Sequence, residues 1–386
     1  MSDAIKLVAV GDIMLGDHPV TFGHGVKSMI EKSGGESPFA KVSELLRGGD
    51  IVFGNVEVVL SDRGLVRGNL VSEEFRGSPR FGSMLAAAGF NVVGFSNNHC
   101  MEHGEAAFWD TVQVLRDNGV QVAGLVDSGG RCDPVRMSIN GVQVMVLSYS
   151  LCPENYHKGP SVPYAHQQNF DNVLSEVASF RGQADILLLS LHWGYEYIDF
   201  PSPKQVQLAH RLVDEVGVNL IIGHHPHVLQ AVERYRKAVI IYSLGNFVFD
   251  MWQRSTRETM AVRATISKDG TIYYDLIPIW INNKWQPEIL AGANREEEFL
   301  KQISRLGMVL DKQCLAHDLS CQDLVNRLEL DYLMLARKKE ICHRISSYSY
   351  FLRNIYRYHL PIIAQSVLRS VQRRTDAKAG WLRGNI

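Results

Sequence analysis

Side chains that bind metals or move protons recur directly behind short apolar runs. Asp12 follows Ile5–Val10, Asn55 and Glu57 follow Ile51–Gly54, and Asn97, Asn98 and His99 follow Val92–Ser96. His192 follows Ile186–Leu191, and His224, His225 and His227 follow Leu220–Gly223. Asn246 and Asp250 close the series behind Val239–Ser243. Taken singly, each has an ordinary reading: an Asp after Gly caps a turn, a strand-end His is hydrogen-bonded, and Asn-Asn-His forms a left-handed turn. Three histidines within four residues rarely serve packing, and the recurrence at successive run ends favours a shared site. Ligands of α/β sheets bind outside the carboxyl ends of the strands. A mixed set of Asp, Glu, Asn and His suits one or two divalent ions such as Mn, Fe or Zn. Two such ions orient a phosphate, acidify a bridging water and stabilise both oxygens of an in-line displacement.

The elements that must position these groups follow from the same runs. Their Val and Ile content, with little alternation, predicts strands buried on both faces. Helical segments are expected at Phe39–Arg47, Phe81–Ala88, Glu105–Asn118, Asn169–Phe180 and Pro203–Val216. Gly89, Gly119 and Gly217 supply stops before the next strand. Strand and helix alternate, which argues for an α/β architecture. Near Met260 the pattern changes to a hairpin, Met260–Ser267 and Thr271–Ile279 around Lys268-Asp269-Gly270. A boundary is placed near 292, dividing residues 1–292 from a strand-poor, basic, helical region at 293–386.

The 386 residues are 46% hydrophobic and 21% charged, enough to bury a large core. Forty basic residues against 41 acidic ones give no overall attraction for nucleic acid, which is not expected as a partner. The six cysteines show no CxxC spacing or disulfide framework, no leader pattern opens the sequence, and no apolar run approaches the ~20 residues of a membrane helix. A cytoplasmic location is therefore the expectation.

Six motifs, in order, carry a family resemblance: Val-Gly-Asp-Ile-Met-Leu-Gly (10–16), Gly-Asn-Val-Glu (54–57), Ser-Asn-Asn-His (96–99), Leu-His-Trp-Gly-Tyr-Glu-Tyr (191–197), Ile-Gly-His-His-Pro-His-Val (222–228) and Tyr-Ser-Leu-Gly-Asn-Phe-Val-Phe-Asp (242–250). Over roughly residues 5–280 the chain resembles the bacterial capsule synthesis proteins of the CapA/PgsA, poly-gamma-glutamate type. That family is similar in turn to the calcineurin-like metallophosphoesterases. The resemblance implies a four-layer sandwich, two mixed β-sheets flanked by helices. It also implies Asp12, Glu57, Asn98, His192, His225 and His227 as metal ligands, with His99 contacting phosphate and protonating the leaving oxygen. Asn55, Asn97, Glu196, His224, Asn246 and Asp250 are candidates for supporting contacts around them.

Two positions depart from the superfamily pattern. Met14 stands where Asp-x-His supplies a histidine, and Asn55 with Glu57 replaces a bridging Asp. The expectation is a metal-dependent phosphoesterase-like protein in capsule or other anionic-polymer synthesis. The alternative is a non-catalytic accessory protein that keeps the fold and binds the polymer or a synthase partner. An anionic polymer or a phosphorylated small molecule is the expected ligand. In the C-terminal region Ile341, Ile345, Tyr348, Leu352 and Ile355 share one helical face. The expected arrangement packs that face on the main domain and leaves a solvated basic face. Peripheral contact with an anionic membrane is the sharper reading.

Overall fold

In the computed structural model, the structure describes residues 4–159, 161–312 and 319–369. Cys314, Val371, Arg373, Arg374, Lys378 and Arg383 lie outside the described residues.

The first sheet opens with β1 (Ile5–Ile13), β2 (Ile51–Val56), β3 (Val92–Gly94) and β4 (Gln121–Ala123), parallel and side by side. The chain then crosses to a second sheet: β5 (Val135–Ile139), β6 (Val142–Ser150), β7 (Ile186–His192), β8 (Leu220–His224), β9 (Val232–Tyr235) and β10 (Ala238–Ile241). Its order is β9-β10-β8-β7-β6-β5, parallel in the middle and antiparallel at both edges. The chain returns to the first sheet through β11 (Asn246–Val248), parallel to β1. There β12 (Glu258–Ile266), β13 (Ile272–Ile281) and β14 (Pro287–Ile289) extend the other side of β1 antiparallel.

Along β1 the side chains alternate between two cores, as the two-residue period of a strand requires. Leu7 and Ala9 face the second sheet, in one core with Phe53, Val146, Leu189 and Ile221. Val8 and Val10 join Val52 and Val93 in the other core, under helices α1 (Val26–Lys32), α2 (Phe81–Ala88) and α3 (Glu105–Asp117). Helices α4 (Phe170–Ala178) and α5 (Pro203–Arg211) cover the second sheet through Val173, Val177, Val206 and Ala209. The result is helix, sheet, sheet, helix, the mixed α/β sandwich that the motifs implied. Parallel strands covered on both faces account for the unbroken apolar runs.

Local details differ from the sequence reading. Phe39–Arg47 forms a 3-10 turn at Ala40–Val42 and one α-turn at Ser43–Leu46. The helix expected over Pro203–Val216 changes to π-type at Leu212–Val216. Strands β5, β9, β11 and β14 are short or at an edge, and too brief for periodicity to mark.

Beyond β14 the chain forms α6 (Ala293–Leu310) and α7 (Gln322–Arg353), with a further helical stretch over 360–369. Here the expected orientation is reversed. Ile341, Ile345 and Leu352 are 56%, 64% and 65% exposed, with Tyr348 and Ile355 also outward. The inward side of α7 mixes the buried Val325 and Ala336 with aromatic and polar groups. Tyr332 donates to the Phe200 carbonyl, the Trp252 indole donates to Ser346, and His343 stacks on Tyr197 at 4.0 Å and 6°. Past α7, Arg369 pairs with Glu74. Ring stacking and directed hydrogen bonds to the sandwich set the orientation, so the apolar stripe stays outside. No helix among the described residues is long and apolar enough to cross a membrane.

Candidate metal centre

The parallel ladders align the chemistry-bearing residues in two rows. In the first sheet Asp12 is in register with Asn55 on one side and Asn246 on the other. In the second, Ser150, His192 and His224 stand in register across β6, β7 and β8. Two glycines allow the close approach. A Cβ at Gly11 would lie 2.0 Å from the Gly245 carbonyl oxygen, and one at Gly223 would lie 1.9 Å from that of Tyr242. Each glycine directly precedes a site residue because the neighbouring backbone leaves no room for a side chain there.

Glu57 sits at the centre, 0% exposed. Its Oε1 lies 3.8 Å from His99 Nε2, 3.7 Å from His192 Nε2 and 3.9 Å from His227 Nε2. Neither carboxylate oxygen has a hydrogen-bond partner among the described residues. Burial, followed by the carboxylates of Asp12, Glu196 and Glu102, pushes Glu57 well above the usual carboxylate range. A buried carboxyl group with both oxygens orphaned is costly unless a cation satisfies it.

Asp12 is placed differently. Asn55 Nδ2 donates to its Oδ1 at 2.8 Å, His224 Nδ1 lies 3.1 Å from the same oxygen, and the His225 amide donates to Oδ2 at 3.2 Å. Burial alone would raise Asp12, but the His224 contact and the His227 ring hold it below its ordinary value. Asn97 braces this arrangement, donating to Asn55 Oδ1 at 3.1 Å and to the Val56 carbonyl at 2.8 Å.

Hydrogen bonds and burial fix how the histidines face the centre. Asn246 Nδ2 donates to the Thr256 carbonyl, so its Oδ1 accepts from His227 Nδ1 at 2.9 Å and leaves Nε2 free to face Glu57. His192 Nδ1 faces the Asn55 amide at 3.3 Å, and its Nε2 bonds Asn98 Oδ1 at 2.7 Å. That separation is close to the spacing of two ligand atoms on one ion, about 3 Å. Burial lowers His192 well below its usual range and His225 to about 4. Neutral imidazole is the form that metal ligation requires. His225 and His227 adopt left-handed backbone, φ 94° and 58°, strain spent at the point where both rings turn inward.

His99 is oriented by a residue that sequence reasoning missed. Its Nδ1 bonds Glu102 Oε2 at 2.6 Å, and Phe75 stacks on the ring at 4.0 Å and 14°. The signal for Glu102 was its position three residues after His99 in one turn. Phe75 carried none. Glu196 is brought near His227 and His225; burial would raise it, but those rings and the Tyr197 hydroxyl hold it below its ordinary value. Met14 is buried among apolar residues, and its sulfur accepts from the Gly16 amide at 3.1 Å, so nothing replaces the histidine at that position. Asp250 stays outside the ring: its Oδ2 accepts from the His18 amide at 2.9 Å and from Thr21 Oγ1 at 2.5 Å.

Three overlapping sets of ligand atoms, each within 4.8 Å of one another, can hold a cation: Asp12, Glu57 and His192; Glu57, His225 and His227; Cys152, His192 and His225. Orphaned acceptors and neutral imidazoles together fit a divalent metal.

The chain is similar to capsule biosynthesis protein CapA of Bacillus anthracis, with 29% identity over 315 residues, covering 79% of this chain and 74% of that one. It is also similar to PGA biosynthesis protein CapA of Bacillus subtilis, 27% identical over 306 residues and 78% of each chain. Among solved structures, a 5'-nucleotidase from Candida albicans superposes with a TM-score of 0.38 at 10% identity, over 80% of this chain and 57% of that one. The family model for the bacterial capsule synthesis protein PGA_cap matches residues 6–251, which take in every site residue from Asp12 to Asp250. The chain belongs to the bacterial capsule synthesis protein family.

Proposed function

We propose that this protein is a metal-dependent phosphoesterase-type hydrolase acting in the synthesis of an anionic capsule polymer. The observation that carries the reading is Glu57, fully buried, with both oxygens orphaned inside a ring of histidines 3.7–3.9 Å away. A bound divalent ion would supply charge for a phosphate oxygen and an acidified water. Asp12, Glu57, Asn98, His192, His225 and His227 would hold one or two such ions. Glu102 fixes the His99 ring through Nδ1 and leaves Nε2, on the side of Glu57, to exchange a proton with a substrate oxygen. Phe75, stacked on one face of that ring, limits its rotation.

The test is metal content together with turnover of a generic phosphodiester by wild type and His99→Ala. Bound metal with turnover that falls about 100-fold or more in the variant supports the hydrolase. Bound metal without turnover in either protein favours the second reading, an accessory protein that keeps the centre and binds polymer or a synthase. Met14 motivates that reading, since one ligand of the superfamily pattern is lost to the core.

The outward face of α7 is the proposed site of peripheral membrane contact. Leu330, Met334, Ile341, Ile345 and Leu352 are exposed along it, beside the exposed Arg337, Lys338, Arg344 and Arg353. Apolar groups flanked by cations suit the surface of an anionic membrane, bound peripherally.

A further inference from the structure

The third ligand set contains a residue that the family motifs do not supply. Cys152 lies two residues beyond Ser150, whose register partner is His192, so it emerges at the same edge of the second sheet. It is 3% exposed, and its sulfur and one ring nitrogen each of His192 and His225 lie within 4.8 Å of one another. His225 Nδ1, also buried, has no hydrogen-bond partner among the described residues. A tetrahedral ion with one sulfur and two nitrogen ligands needs those atoms about 3.5 Å apart, so a contraction of about an ångström completes the set.

The surroundings make that movement inexpensive. The thiol donates only a weak hydrogen bond to the His192 carbonyl, at 3.5 Å. The same carbonyl already accepts the Leu151 amide at 2.9 Å and remains satisfied when the thiol turns away. The Cys152 main chain is anchored independently, its carbonyl bonded to His166 Nε2 at 2.8 Å.

We infer that Cys152 is a metal ligand, forming with His192 and His225 a thiolate-containing subsite that favours zinc-like ions over manganese or magnesium. The inference rests on reading the site as a metal centre. It makes the two sides of that centre chemically unequal: Asp12 and Glu57 offer hard oxygens from the first sheet, and a sulfur softens the set on the second. Ligation replaces the S–H bond by a sulfur–metal bond and releases one proton to solvent for each ion bound.

Cobalt(II) reconstitution of the full chain tests it. Equilibrium dialysis measures binding, and a near-ultraviolet thiolate-to-cobalt charge-transfer band reports sulfur ligation. Wild type is expected to bind cobalt and show the band. Cys152→Ser is expected to lose the band and to favour zinc over manganese about tenfold less or worse, while still binding ions at the carboxylate end. Cys100→Ser and Cys342→Ser, each at a cysteine outside the ligand set, are expected to keep the band. Cobalt bound without a band, or a band that survives Cys152→Ser, overturns the thiolate ligand and leaves the metal centre standing. No cobalt bound by wild type overturns both. Cys152→Ala repeats the measurement if serine disturbs folding.

Discussion

Glu57 and Asp250 are both buried carboxyl groups with raised proton affinity, yet they serve different ends. Glu57 lacks hydrogen-bond partners and faces three imidazoles, an arrangement a cation completes. Glu57→Gln preserves shape and removes charge, so divalent-ion affinity measured by calorimetry is expected to fall by about tenfold or more. Asp250 instead pins the loop at His18 and Thr21; burial, then the Asp17 carboxylate, raises it to about 7. The native state therefore holds that proton to about pH 7, whereas the unfolded chain releases it near the ordinary value of 3.8. Stability from this group is present at acid pH and is lost as pH rises toward 7. Asn cannot ionise and keeps an oxygen for His18 and Thr21. Asp250→Asn is thus expected to match wild type near pH 4 and to exceed it above pH 7, by on the order of 2 kcal/mol in denaturant melts. A constant difference across that range would contradict the assignment.

At the scale of elements, the site depends on how closely strand ends approach one another. Gly223 ends the apolar part of β8, one residue before His224, and a methyl group there meets the Tyr242 carbonyl at 1.9 Å. Gly223→Ala is expected to cost at least about 3 kcal/mol in thermal or chaotrope denaturation, and to displace His224 and His225 from Asp12. The sequence showed a glycine before a histidine cluster; the reason for it lies on β10 and the residue after it, outside any local window. The same limit hid Phe75, which reaches His99 from a loop joined to neither β2 nor β3 by any visible pattern. Glu102 was closer to hand, within one turn of His99, and spacing alone could have found it.

For the whole molecule, the question is what α7 presents outward. Spacings alternating between four and three correctly grouped Ile341, Ile345, Tyr348 and Leu352 of α7 with Ile355 just beyond it, but that stripe faces solvent. The opposite stripe meets Trp252, Tyr197 and Phe200 through rings and hydrogen bonds that no hydropathy pattern encodes. If the outward stripe docks on anionic membrane, Ile345→Glu with Leu352→Glu will reduce co-sedimentation with phosphatidylserine-containing vesicles about tenfold, without changing the melting temperature. Equal sedimentation of both proteins would assign the stripe to another partner.

The chain's own order of residues was enough to determine an α/β sandwich, the display of Asp, Glu, Asn and His side chains behind its strand ends and the family, because each is written in short runs and fixed spacings. The tertiary structure alone decided that Glu57 is central while Asp250 stands apart, that Cys152 joins two histidines, and which side of α7 is hidden. Those outcomes depend on distances between atoms far apart in the chain, set by sheet register and by competition among packing partners, which local pattern does not contain.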